Sequence, residues 1–275
     1  MISMLAIIED AIAFLGVIGV LVLVHEFGHY LAARANGVRV EVFSIGLGPE
    51  LCGFTDGAGT RWRLGGVPIG GYVKMFGQGD RGSEPGPTEH AGSFQHKRLG
   101  QRAAIVAAGP LANFVFAIAI FAVLLKLFGQ PPAHPFDSGL GELVALFGRA
   151  AAMTWDLSLA TVRTIGQFLI GAHGPGELIG PLRAAEVSGA VSRHGLALLG
   201  TWMAIFSVNL GVTNLFPIPS LDGGHLVFCA AEAIQGRPVD RRVRRNSALV
   251  GFALVLGIMA FATVNDLLQL SGLGL

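Results

Sequence analysis

Two histidines four residues apart, His25 and His29, bracket a glutamate, Glu26, in the segment HEFGH. On a helix, positions i and i+4 share a face, so both imidazoles can bind one metal ion through neutral ring nitrogens. Glu26 lies beside that face, where its carboxylate can take a proton from a water held by the metal. This H-E-x-x-H spacing is the one that zinc peptidases use, because zinc lowers the pKa of a water toward about 7 and polarises a carbonyl. The five residues sit inside IAFLGVIGVLVLVHEFGHYLAARA, a run otherwise fit to cross a bilayer. Ionisable groups in such a run are expensive and usually functional. Gly28, between Phe27 and His29, leaves room for another backbone to approach closely.

Two histidines do not complete a catalytic zinc site, which takes three protein ligands and a water. Asp222, in PSLDGGH, is the candidate third ligand. Pro217 and Pro219 interrupt the apolar run before it, and Gly223-Gly224 let the backbone turn and point a carboxylate inward. Irregular backbone at membrane depth is tolerated where protein or a cavity covers it. His225, three residues later, is the rival ligand. His90, His96, His134, His173 and His194 carry no spacing signal.

The elements that must position these residues are membrane helices. The chain has 275 residues, 52% hydrophobic and 13% charged, with mean hydropathy +0.61. Ordinary soluble domains carry about 25% charged residues. The composition predicts an α-helical polytopic membrane protein, and a net charge of +1 gives no reason to expect nucleic acid as a partner. Cys52 and Cys229 form no CxxC pair and read as reduced and structural. The first Lys or Arg is Arg34, so the N-terminal run lacks a basic leader and reads as a retained helix.

Residues 6–34, 103–128 and 247–269 pass the length of about 20 residues needed to span, and 196–216 is the fourth span, running into the proline break. The apolar stretch 142–171 carries Glu142, Arg149, Asp156 and Arg163, each seven residues after the last. That spacing stacks the charges along one stripe, which suits an amphipathic helix at the membrane surface, with a fifth span as the alternative. Residues 34–102 hold nine Lys/Arg, residues 237–245 hold five, and residues 129–195 hold four. Positive loops stay inside, so the first two sets face the cytoplasm and 129–195 faces outward. With four spans, His25 and Asp222 lie about 20 and 25 residues into helices of the same direction. At about 1.5 Å per residue they come within reach of one another. The Arg cluster itself reads as a topology signal beside anionic lipid heads.

Between the first two spans lies RWRLGGVPIGGYVKMFG. Its runs Arg61–Leu64 and Val67–Met75 flank Gly65-Gly66, a hairpin signal, while Pro68 and Gly70-Gly71 mark the second run as an edge or bulged strand. The expectation is a membrane-associated β-hairpin, followed by a loose loop over 77–92.

Taken together, HEFGHYLAAR, VPIGGYVKM, AAGPLANF and SVNLGVTNLFPIPSLDGGHLVF resemble the bacterial RseP-type site-2 proteases, which are intramembrane zinc metalloproteases. The resemblance covers nearly the whole chain, with the motifs in the family's order. It implies Zn2+ held by His25, His29 and Asp222, Glu26 as general base, and Asn214 as a substrate-holding amide. It also implies a multi-pass protein of the bacterial inner membrane that cuts single-span membrane proteins, such as trimmed anti-sigma factors and leftover signal peptides. Such a substrate is helical, and the enzyme must unwind it. An edge strand over Gly70–Lys74, with Gly71, Tyr72 and Val73 at its centre, offers replacement backbone bonds. Asn113 reads as packing or capping the second span. The family usually places one or two PDZ domains between the second and third spans, each needing roughly 90 residues. The interval 129–195 is too short and too apolar for one, so a single domain over 1–275 without a PDZ region is expected. The competing functional class is a catalytically silent membrane scaffold that binds helices in the same groove. The intact HEFGH with Asp222 argues against it.

Overall fold

The computed structural model describes residues 4–78, 90–129, 139–171 and 179–271. Its elements in order are α1 (Met4–Ala35), β1 (Val40–Thr55), β2 (Arg61–Met75), α2 (Leu99–Phe128), α3 (Leu140–Leu169), α4 (Pro181–Arg193), α5 (Leu196–Asn214), α6 (Asp222–Gln235) and α7 (Arg241–Leu270). Two short 3-10 turns, His90–Gly92 and Phe94–His96, precede α2. Most of the expected loop over 77–92 and the join at 130–138 lie outside the described residues.

Helix ends follow local chemistry. α1 stops where Gly37 takes a left-handed φ of 67° and the Asn36 side-chain amide donates to the Ala32 carbonyl. α6 begins at Asp222, whose carboxylate sits in the first turn where the helix dipole favours negative charge, and ends at Gly236 with φ 65°.

Five described helices, not four, are long and apolar enough to cross a membrane: α1, α2, α3, α5 and α7. The expected count of four is therefore not matched exactly: by length and composition alone, a fifth helix also qualifies. The extra helix is α3, with a mean hydropathy of 1.2 against 1.6 to 2.5 for the others. Its charges explain why the sequence was ambiguous. Spaced seven apart, they leave windows of 18 residues holding only two of them, with apolar side chains between. The buried stripe of α5 is small or slim, with Ala204, Ser207, Val208, Gly211 and Val212, whereas large apolar residues such as Val115, Leu127 and Val250 point outward. Small residues inside and large ones outside is the pattern of helices packed in lipid.

The sheet differs from the expected hairpin. Arg61–Leu64 and Val67–Met75 do not pair with each other across Gly65-Gly66. Both belong to β2, and both pair with β1: Phe43 stands opposite Val73 and also opposite Trp62, and Ser44 opposite Tyr72 and also Arg63. The tight turn lies earlier, at 56–60, where Asp56 accepts hydrogen bonds from the Ala58 and Thr60 backbone N–H groups and the Trp62 indole. β1 therefore has partners on both sides over Val42–Ile45. The strand end Gly71–Met75 pairs with β1 on one side and, among the described residues, with no strand on the other.

The chain divides into two compact units. One comprises Met1–Val17, Asn113–Val212 and Val255–Leu275, and the other Ile18–Ala112 and Thr213–Leu254. Helices α1, α2, α5 and α7 contribute to both, whereas α3 and α4 lie wholly in the first. In the first unit, Asp266 of α7 is fully buried and accepts the backbone N–H groups of Gly180, Leu182 and Arg183 at 3.0, 3.0 and 3.1 Å, capping α4. Thr161 of α3 donates to the Asn209 side-chain oxygen of α5 at 2.6 Å. The Asn113 backbone carbonyl accepts the Ser207 hydroxyl at 2.8 Å. The second unit has an apolar core of Ala33, Val38, Val40, Met75, Phe94, Ile105 and Val106, which joins α1, the sheet, the second 3-10 turn and α2.

Candidate metal centre

Three polar side chains converge in the second unit. His25 and His29 project from one face of α1, as their spacing requires, and both are buried. Asp222 enters from the first turn of α6. The Asp222 Oδ2 atom lies 3.1 Å from His25 Nε2 and 3.3 Å from His29 Nε2, and the two Nε2 atoms are 3.3 Å apart. Ligand atoms at 2.0–2.1 Å around a tetrahedral zinc stand about 3.3–3.4 Å from one another. The triangle therefore has the size that a tetrahedral ion needs. Among the described residues it is the one cluster of three or more His, Cys, Asp or Glu side chains that could hold a metal. Of the two rival third ligands, Asp222 meets the histidines, whereas His225 lines the same cavity without joining the triangle.

Neighbouring backbone sets the imidazoles. His29 Nδ1 lies 2.9 Å from the Ile105 carbonyl, so that nitrogen carries the proton and Nε2 presents its lone pair to the triangle. Gly109 and Gly28 allow this approach. A Cβ on Gly109 would collide with both histidine rings, and one on Gly28 would collide with Ala108 and Ala112. The close approach expected at Gly28 is thus made by α2. Pro110 follows Gly109 inside α2, lacks an N–H, and lies fully buried.

The triangle opens into a cavity of about 280 Å³. Among the residues that line it are His25, Glu26, His29, Asp222, Asn214, Gly71, Tyr72 and Val73, whereas Gly28 and Asn113 do not. Glu26 sits against the side of β2 turned away from β1, where the Val73 backbone N–H faces its carboxylate. A Cβ on Gly71 would lie 3.0 Å from the Glu26 stem, so this glycine lets the carboxylate reach the strand. The Val73 N–H thus points away from β1. Because backbone groups alternate along a strand, Gly71 and Met75 face the cavity side with it, while Tyr72 and Lys74 bond toward β1.

Sequence reasoning missed several walls of the cavity, among them Met75, Gln78, Phe94 and Val106. It also missed the Ile105 carbonyl. The signal available for the latter was AAGPLAN, whose glycine and proline mark a helix that something approaches.

Comparison with known proteins agrees with this chemistry. The model of the family described as Peptidase family M50 matches residues 13–258. A protein of Rhizobium meliloti provisionally named a zinc metalloprotease is 32% identical over 360 residues, covering 94% of this chain and 96% of that protein. A counterpart of the same provisional name in Agrobacterium fabrum is 33% identical over 363 residues, 95% and 96% covered. Metalloprotease MmpA of Caulobacter vibrioides is 28% identical over 379 residues, 93% and 94% covered. Since 94% of 275 residues fill fewer than 260 of the 360 aligned positions, the first of these carries about 100 residues that have no counterpart here.

Proposed function

Since the chain belongs to peptidase family M50 and is a multi-pass membrane metalloprotease of the zinc-dependent kind, we propose that it is an endopeptidase that cuts single-span membrane proteins within the bilayer. The observation that carries the reading is the donor triangle of His25, His29 and Asp222, set beside Glu26 and the side of β2 turned away from β1 in one cavity. These three side chains would hold the zinc. When bound, zinc acidifies a water and polarises the scissile carbonyl. Glu26 takes the proton from the attacking water and returns it to the departing nitrogen. Asn214, at the C-terminal end of α5, donates its amide to a substrate carbonyl. The cavity-facing backbone of Gly71 and Met75, together with the Val73 carbonyl, pairs with substrate that has left its helix.

Glu26→Gln tests the chemistry. The variant keeps its zinc, and cleavage of a reconstituted single-span substrate falls about 10²–10⁴-fold. Native turnover in the zinc-loaded variant would remove Glu26 from the reaction. A silent scaffold would show no cleavage by either protein.

The reading includes a topology in the bacterial inner membrane. Helices α1, α2, α5 and α7 span, and α3 lies along the membrane with its charged stripe toward the headgroups. Its support is that α3, unlike these four, contributes to one unit alone. Reporter tags near residues 92 and 240 then mark the cytoplasm, and one near 135 marks the outer side. Opposite sides for 92 and 240 would make α3 a fifth span. The roughly 100 residues that the Rhizobium relative has in addition agree in size with a PDZ domain missing between α2 and α5.

A further inference from the structure

We propose that Glu232 is a positioning residue for Asp222: with Arg102 and Arg244 it clamps α6 so that the carboxylate at the other end of that helix meets the two histidines. This rests on the reading of His25, His29 and Asp222 as zinc ligands. Glu232 lies near the C-terminal end of α6, ten residues after Asp222, and is 5% exposed. Its carboxylate accepts hydrogen bonds from Arg102 of α2 and from the Val239 backbone N–H at 3.2 Å, and it pairs with Arg244 in the first turns of α7. A buried carboxylate is costly unless it is paired, so a carboxylate held by two guanidinium groups from two other helices fixes all three together.

The partners are the elements that build the metal centre. Arg102, Ile105 and Gly109 lie at i, i+3 and i+7 on α2, one stripe of that helix. Ile105 orients His29, and Gly109 makes room for both rings. On α7, Arg244 and Gly251 are also seven apart and share a stripe. A Cβ on Gly251 would lie 2.8 Å from the Ser220 nitrogen and 3.2 Å from the Pro219 nitrogen, so α7 bears directly on the turn that leads into Asp222. The α7 stripe therefore supports α6 at both ends, and Arg102 ties the same helix to the surface that holds the histidines. A clamp at one end of a helix sets where the other end points, because a helix of about four turns moves as a rod.

The test is zinc affinity, measured on the full-length protein in detergent by competition with a chelator, alongside thermal stability of the metal-free protein. Glu232→Gln and Arg102→Gln each weaken zinc binding about 10–100-fold, the range for residues that orient metal ligands from outside. Arg102→Lys, which keeps the charge, recovers part of the loss. Gly251→Ala weakens binding in the same direction, although it removes no polar group. Asp266→Asn, which cuts another buried carboxylate contact made by α7, lowers thermal stability and leaves zinc affinity as in the native protein. If Glu232→Gln and Arg102→Gln bind zinc within twofold of native, or if Asp266→Asn weakens zinc binding equally, the clamp has no positioning role. Should Glu232→Gln not fold, Arg102→Gln and Gly251→Ala decide. Asp222→Ala separates the two readings. Zinc binding that survives Asp222→Ala defeats the ligand assignment itself, whereas zinc lost there but kept in the clamp variants defeats only the clamp.

Discussion

Asp222 and Asp266 are both buried or half-buried carboxylates at helix N-termini, one in each unit, yet their surroundings differ in kind. Asp266 is satisfied by protein alone: three backbone N–H groups at the start of α4 surround it. Asp222 faces two imidazole nitrogens, one of which, on His29, has already committed its proton to the other side of the ring. Among the described residues, no Lys or Arg is paired with its Oδ2. A carboxylate fully supplied with donors holds a fold together; a carboxylate surrounded by lone pairs is a place for a cation.

Exchanging these two residues for alanine should separate their roles most sharply. Asp222→Ala is expected to lose bound zinc and to reduce cleavage by about three orders of magnitude or more, with little change in the thermal stability of the metal-free protein. Metal analysis and a cleavage assay measure the first two, and a melting curve the third. Asp266→Ala should do the reverse: zinc stoichiometry stays at one per chain, while stability falls by about 2–3 kcal/mol as three N–H groups at the start of α4 lose their acceptor. If Asp266→Ala also released zinc, the division between the two carboxylates would fail.

A smaller effect probes the sheet in the same spirit, by comparing a group turned toward the cavity with its neighbour turned toward β1. Val73→Pro removes the N–H that reaches Glu26 and leaves the ladder to β1 intact, so cleavage should fall about 10–100-fold with zinc retained. Tyr72→Pro removes a ladder bond, so the hairpin itself should loosen, seen as faster amide exchange across Val42–Ile45. Equal behaviour of the two variants would mean that the strand does not present alternate faces as described.

What the sequence disclosed follows from the range over which each signal acts. His25, Glu26 and His29 were legible because a helix turns a spacing of four into a shared face. Asp222 was legible because prolines and glycines write a break into an apolar run. The Ile105 carbonyl was not legible, since every residue has one and only the fold chooses which is used. Glu232 was not legible for a similar reason: Arg102 stands 130 positions away, and no local pattern joins them. The hairpin was placed one turn too late because Gly65-Gly66 is a stronger turn signal than the Asp56 side chain that closes the true turn. The role of α3 stayed open because a charge every seventh residue satisfies an amphipathic helix and a spanning one alike.

The side of Gly71–Met75 turned away from β1 has, on the proposed pairing with substrate, a consequence for selectivity. An edge of backbone amides reads no letters, because every peptide offers it the same donors and acceptors. Two substrates with unrelated side chains but an equal readiness to give up their helical turns would stand level before it. A helix made of stubborn residues would be spared whatever its composition near the cut. On the proposed pairing of substrate with this edge, discrimination is a matter of tempo and not of spelling: the chain cut is the one that comes undone while it is within reach.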